Sequence, residues 1–423
     1  MNKNKIIHES IYVILALVTF ISCLFFVFVQ MPIYLAVAAG STASSSSGTG
    51  TATNPIPDDF AQFTAKPPIH SLFAASTSPQ GLAPSEVKSA YHLPTSGGSG
   101  TIAIISAFDH PYIESDLAVF DKTFSITPCT AAGKCLEIHK MTSKEKTNTG
   151  WDMESALDTQ WAHAIAPSAK ILVVEATSDS GTDLMKAVDY ARGRSDVVSV
   201  SMSWGGDEFA SEIKLDGHFG TSTAKVAKGQ TAQSIAWFAS SGDDGTGASW
   251  PAVSPNVIAV GGTSLAIDTA GKFFSESAWS GSGGGVSAYE NEPAYQKDYS
   301  IYRAGGKRAI PDVSYAADPM RGFSIYHVSS KTIAKTAPKV RGWYVVGGTS
   351  AGAPQWAAIA ALGASIRDAI SLPALYADKA SATYSDFFRD ITSGENGTCA
   401  YYCVARKHFD YVTGLGSPLT YKF

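Results

Sequence analysis

Charge is scarce in this chain. Charged side chains make up 16% of its 423 residues, against about 25% in an average soluble protein. The 32 basic and 37 acidic residues leave a net charge of −5. The basic surface that phosphate recognition needs is therefore absent, which excludes nucleic acid as the main partner. A surface poor in carboxylates also loses little when these groups are protonated, a pattern compatible with work in acid. No internal repeat and no break in composition interrupts residues 82–423, so one large domain is the simplest reading of that stretch. What is present is 45% hydrophobic and 11% aromatic residues, enough for a packed core and too much for a disordered chain.

The longest absence of charge lies between Glu9 and Asp58. Within it, an apolar run extends from Ile11 to about Val29, preceded by Lys3 and Lys5. This is the layout of an export signal, and Ala36-Val37-Ala38 offers a cleavage site. The run is also close to the length of a membrane span. Residues 1–40 thus read as a signal peptide or as an anchor, with a membrane tether through residues 11–38 in the second case. Either way the rest of the chain is expected outside the cytoplasm, secreted or held at the surface. The small, uncharged segment 41–57 reads as a flexible tether within a linker and short pre-segment, 41–80. Of five cysteines, Cys23 lies in the apolar run. The others form two close pairs, Cys129/Cys135 and Cys399/Cys403. Four cysteines allow three connectivities. The absence of a second Cys/His pair at zinc-like spacing favours two local disulfides.

From Leu82 onward the chain alternates in the α/β manner. Strand-like runs fall at 101–108, 170–176, 197–204, 235–241, 256–262 and 343–348, with helical stretches at 153–166 and 183–192. Short buried runs between helices predict a mainly parallel sheet flanked by helices. In such sheets the active site lies beyond the carboxyl ends of the strands.

Three polar groups follow strand runs or open helices. Ser350, in GGTSAGAP, has small neighbours that admit a substrate backbone, and it opens a helical stretch with positive potential. Its ordinary alternative is an N-capping serine. Glu154 and Asp158 are spaced i, i+4 and share one helix face. Two carboxyls so close cannot both ionise cheaply, so they share a proton. Asp243, in SSGDDG, stands at a strand's carboxyl end, where an Asx turn is the common reading. None of the nine histidines sits in an H-G-T-like turn before a helix, the place of the imidazole base in one class of serine peptidases.

WDMESALD, SSGDDG with WPAVSPNVIAVGGTSL, and GGTSAGAP occur in that order. They resemble the sedolisin family of serine-carboxyl peptidases, over essentially 82–423. The resemblance also takes in LAPSEVKSAYHLP, VSVSMSWGG and FDYVTGLGSP. It implies a subtilisin-like three-layer fold, a peptidase domain spanning 81–423 and polypeptide substrates. It implies Ser350 as nucleophile, Glu154 as general base, Asp158 as the group that holds Glu154, and a protonated Asp243 as oxyanion donor. A carboxylate base can be ionised where an imidazole would already be protonated. A neutral Asp donates a hydrogen bond, and an ionised one repels the oxyanion. Both arguments place the working range in acid.

The resemblance further implies one structural Ca²⁺ in a C-terminal segment, about 385–418. Its ligands are the carboxylates of Asp390 and Asp410 and the carbonyls of Ile391, Arg406 and His408. The family often has glycine at the last two carbonyl positions, so bulk there can oppose the loop's conformation. Family members carry a long N-terminal prodomain, whereas only about 40 residues separate the apolar run from the domain here. Asn396-Gly397-Thr398 is a glycosylation pattern, and nothing in the sequence demands more than a monomer. Two other readings stay open. Gly348–Gly352 fits G-x-S-x-G, with Asp390 and His408 in the order of an α/β-hydrolase esterase. The domain could also be an inactive, surface-tethered binding module.

Overall fold

The computed structural model describes residues 57–423, apart from 72–74, 145, 226–231, 331–339, 363–369 and 378–383. The expected signal or anchor and most of the flexible tether lie outside the described residues. Among the described residues no helix is long and apolar enough to cross a membrane.

The strands in chain order begin with a short β1 (His70–Ser71), β2 (Thr101–Ala107), β3 (Leu136–Lys140), β4 (Lys170–Ala176), β5 (Val197–Met202) and β6 (Ala236–Ser240). They continue with β7 (Ile258–Ile267), β8 (Phe273–Ala278), β9 (Gly285–Asn291), β10 (Lys307–Ile310), β11 (Val313–Ala316), β12 (Phe323–Val328) and β13 (Arg341–Gly347). The main sheet has the order β11-β7-β6-β5-β2-β4-β3, all parallel, with β8 added antiparallel to β7. The helices that matter here are α1 (Pro84–Ala90), α2 (Ile113–Phe124), α3 (Thr149–Ile165), α4 (Gly181–Arg192), α5 (Ala294–Tyr299) and α6 (Gly352–Ala361).

The unbroken apolar text of the central strands has a direct cause. Successive side chains of a strand point to opposite faces. In β2, Ile102 and Ile104 enter one core, while Ala103 and Ile105 enter the other. Trp161 of α3 and Trp356 of α6 cover the first face. Leu184 and Val188 of α4 cover the second. Both faces are dry, so neither can carry the polar half of an alternating pattern.

Two expectations need adjustment, and one open question gains an observation. The run at 343–348 is a strand, but not of the parallel sheet: β13 pairs antiparallel with β12 and β1 in a separate three-stranded sheet. Residues 58–71, assigned to a pre-segment before the domain, pack onto it, with Phe60 fully buried against Phe209 and Trp250. Asn396 is buried, and its amide donates to the Ser282 carbonyl at 2.7 Å, so the glycosylation nitrogen is not presented to solvent. The two local disulfides, Cys129–Cys135 and Cys399–Cys403, are both formed.

Candidate active site

Helix α3 supplies the first wall of the cleft. Asn148 caps it, its side chain accepting from the Gly150 amide at 3.0 Å, which satisfies one orphan donor of the first turn. The helix begins four residues before the expected 153, and from Trp151 to Ile165 every residue but the half-buried Met153 is buried. Glu154 and Asp158 lie one turn apart on it, each 1% exposed. Ser203, just past β5, links this wall to Ser350. Its hydroxyl lies 2.8 Å from Asp158 Oδ1 and 3.1 Å from the Ser350 carbonyl oxygen.

Ser350 sits in a tight turn between β13 and α6. Gly348 enters that turn at φ +123°, a conformation that penalises any Cβ. The fully buried Ser350 hydroxyl does not point to Glu154. It donates to the main-chain carbonyl of Pro68 at 2.5 Å. Neither Glu154 oxygen has a hydrogen-bond partner among the described residues. The Ser350 hydroxyl and the Asp158 carboxyl are nonetheless near enough to shift its proton affinity.

Asp243, beyond β6, forms the opposite wall. Its Oδ1 accepts from the Thr349 amide at 2.8 Å and the Thr349 hydroxyl at 2.7 Å. Its Oδ2 lies 3.1 Å from His70 Nε2. His70, Thr349 and Ser203 are the participants the sequence reading missed. Thr349 and Ser203 stand inside motifs already singled out. His70 follows Lys66-Pro67-Pro68-Ile69 with no local signal of any role.

The cleft between the walls holds an extended peptide, and it is the protein's own. Lys66 exchanges both backbone hydrogen bonds with Gly205, at 3.0 and 3.2 Å. The Ala65 amide donates to Asp179 O at 2.9 Å. Four residues later, His70 and Ser71 pair with Gly347 and Val346. Pro67 and Pro68 donate no backbone hydrogen bond. A cavity of about 470 Å³ remains beside this strap, lined by Pro68, His70, Gly205, Asp243 and Ser249 among others.

Burial raises Glu154, Asp158 and Asp243, because it disfavours the charged form. Glu154 is pushed well above the carboxylate range, first by burial and then by the neighbouring Asp158. Asp158 is pushed up to about 8 by burial, opposed by the Ser203 hydroxyl and then by the neighbouring Glu154 carboxyl. Asp243 is raised by burial, with His70 and then Thr349 pulling the other way. His70 is raised in turn, mainly by its bond to Asp243.

The expected calcium segment brings Asp390 and Asp410 to one loop. Both Asp390 oxygens accept from the His408 amide, at 3.0 and 3.1 Å. Asp410 accepts from the Arg406, Val412 and Thr413 amides at 2.8–3.0 Å. His408 sits at φ +65°, the left-handed conformation for which glycine is usual. The donors, carboxylates and carbonyls, suit a hard cation. The side chain of His408 lines another cavity, with Tyr384 and Asp390; the esterase arrangement of Ser350 with His408 finds no support in these contacts.

The sequence pattern of the subtilase family matches residues 145–375, more than half of the chain. The chain is 28% identical to sedolisin of Pseudomonas sp. (strain 101) over 294 residues, covering 63% of this chain and 47% of that protein. It is 29% identical to kumamolisin of Bacillus sp. (strain MN-32) over 375 residues, covering 81% of this chain and 63% of that protein. The chain thus spans between about half and two thirds of the length of these relatives. The solved structure of Pseudomonas sedolisin, a serine-carboxyl proteinase complexed with pseudo-iodotyrostatin, superimposes with a TM-score of 0.62 at 24% identity, covering 81% of this chain and 96% of that one. The fold, the ordered motifs and the matched pattern agree: the chain belongs to the subtilase family, and its likeness within that family is to the sedolisins.

Proposed function

We propose that this protein is an exported, acid-active serine endopeptidase that cleaves polypeptides with Ser350. The observation that carries the reading is the strap. A main-chain carbonyl rests on the Ser350 hydroxyl while the backbone of the peptide pairs with Gly205 before Pro68 and with Gly347 and Val346 after it. A site that grips an extended chain through its backbone is built for polypeptides rather than small esters.

In turnover, a substrate carbonyl takes the place of the Pro68 carbonyl. Ser350 Oγ attacks it, and the Ser350 proton passes to Glu154. Asp158, fixed by Ser203, holds Glu154 in place. Protonated Asp243 donates to the oxyanion. Two changes must come first. The strap has to leave, and Glu154 has to lose its proton. The buried pair is unsuited to ionising while the cleft is closed. Water entering with the strap's departure lowers the penalty on charge and brings Glu154 back toward the ordinary carboxylate range.

Acid activity has support away from the cleft too. Burial raises Asp121 to about 7, Glu290 to about 8 and Glu212 to about 9. A fold that keeps carboxyls protonated holds together best where protons are plentiful. Export is supported by the N-terminal apolar run and by two disulfides, which persist in oxidising compartments. One Ca²⁺ would be held by Asp390, Asp410 and the carbonyls of Ile391, Arg406 and His408, fixing the C-terminal loop.

The test is a pH–rate profile on a denatured protein, with the peptide products identified. Cleavage that peaks in acid and fades before neutrality is expected. A maximum at neutral or alkaline pH would mean a different base and end this assignment.

A further inference from the structure

A second cluster of buried polar groups lies outside the catalytic cleft. His110 is in the loop after β2, Asp116 in the first turn of α2, and His327 in β12. Each is 2% exposed or less. We propose that His110, Asp116 and His327 bind one first-row divalent metal ion of the zinc class, at a site distinct from the Asp390/Asp410 loop.

The geometry points that way. His110 Nε2 is 3.4 Å from Asp116 Oδ2, and His327 Nδ1 is 3.9 Å from the same oxygen. One ligand atom from each of the three residues lies within 4.8 Å of the other two. Ligands on a tetrahedral zinc at about 2.0–2.1 Å stand roughly 3.4 Å apart, so the His110–Asp116 pair already has that spacing, and side-chain closure of at most roughly 1.4 Å completes the set. His110 Nε2 and His327 Nδ1 have no hydrogen-bond partner among the described residues. Buried nitrogens left this way in a native fold call for an explanation, and an ion at their common focus supplies one.

The surroundings resemble an outer shell. The Val328 amide donates to Asp116 Oδ2 at 2.9 Å, which fixes the carboxylate. The His110 amide donates to Glu175 Oε1 at 3.0 Å, which anchors the loop. One contact must yield. The Tyr112 amide donates to His110 Nδ1 at 3.3 Å, which leaves the imidazole proton on Nε2. Ligation moves that proton to Nδ1 and gives up a bond already beyond the usual range. Two imidazoles and one carboxylate select zinc, cobalt, nickel or iron over calcium or magnesium. Three protein ligands leave a fourth position for water.

The ion would join α2 to β12. Because β12 pairs with β13, and β13 runs into the Ser350 turn, the site braces the sheet that presents the nucleophile.

The test uses the full chain carrying Cys23→Ser, chelator-treated and then dialysed at neutral pH with its two disulfides intact, so that no cysteine thiol competes. Zn²⁺ is titrated against a chromogenic chelator, and Co²⁺ is followed by its visible absorption. One equivalent of tight Zn²⁺ and a Co²⁺ spectrum of low coordination number are expected. His327→Ala and Asp116→Asn should each weaken Zn²⁺ by at least about 100-fold and erase the Co²⁺ bands. Asp410→Asn should leave both unchanged. Asp116→Asn preserves shape and can still accept from Val328, so it carries the test if His327→Ala does not fold. No stoichiometric Zn²⁺ binding, or unchanged affinity in Asp116→Asn, would overturn the proposal and leave a metal-free polar cluster.

Discussion

The two walls of the cleft are made of the same chemistry and behave differently. Glu154 and Asp158 stand on a rigid helix, and three of their four carboxyl oxygens lack a hydrogen-bond partner among the described residues. Asp243 stands on a loop, with two donors on one oxygen and an imidazole beside the other. Burial raises all three. Only on the Asp243 wall does a cationic side chain oppose it, and that side chain belongs to the strap. In the proposed mechanism, environment rather than residue type divides an acceptor of protons from a donor of hydrogen bonds. One of the two is also tied to whatever occupies the cleft.

The largest effect belongs to the group both walls serve. Ser350→Ala should lower turnover on the order of 10⁶-fold with an unchanged circular dichroism spectrum. Glu154→Gln removes the acceptor and should cost about 10⁴-fold; near-normal turnover in this variant would break the division of roles. Asp243→Asn should cost about 10²–10³-fold. Its upper pH limit should also move upward, because an amide keeps its hydrogens. An unmoved limit would mean that Asp243 does not shut the enzyme off.

His70→Ala sharpens the comparison. His70 lowers the Asp243 pKa, so its loss raises that pKa and keeps Asp243 a donor to higher pH. The upper limb of the kcat/KM profile, which reports the free enzyme with its strap seated, should shift upward while its lower limb stays put. Movement of both limbs would show that the walls are not independent. The smallest effect is on stability. Asp121, Glu290 and Glu212 are held above their unfolded values, at about 7, 8 and 9. The folded state therefore keeps protons that the unfolded state releases from about pH 4 upward. Their stabilisation is complete below that point and is lost as pH rises through the folded values. The melting temperature of the Ser350→Ala variant should fall between pH 4 and pH 9.

Much of the candidate site could be read from the sequence because its logic is local. The i, i+4 spacing of Glu154 and Asp158, the small residues around Ser350 and the turn at Asp243 each sit within one short window. The sheet was legible for the same reason, since β2, β4 and β5 are continuous apolar runs. What stayed hidden is long-range. The contact between Ser350 and Pro68 joins residues 282 apart in the chain, and no periodicity marks it. The placement of β13 in a separate antiparallel sheet depends on its pairing with β12 and β1 rather than on its own apolar run. The left-handed backbone of His408 shows the opposite case, in which a residue type warned of strain that the structure then displays.

The glycine at position 348 has a consequence for kinetics. A methyl group there would sit on both the Pro68 carbonyl and the Asp243 carboxyl. The space that admits the protein's own strap is thus the space a foreign peptide needs, and the two compete for it. A tethered competitor acts at an effective concentration on the order of millimolar. Full-length protein should accordingly show a higher apparent KM than protein freed of residues 64–71, and saturating substrate should hide the difference.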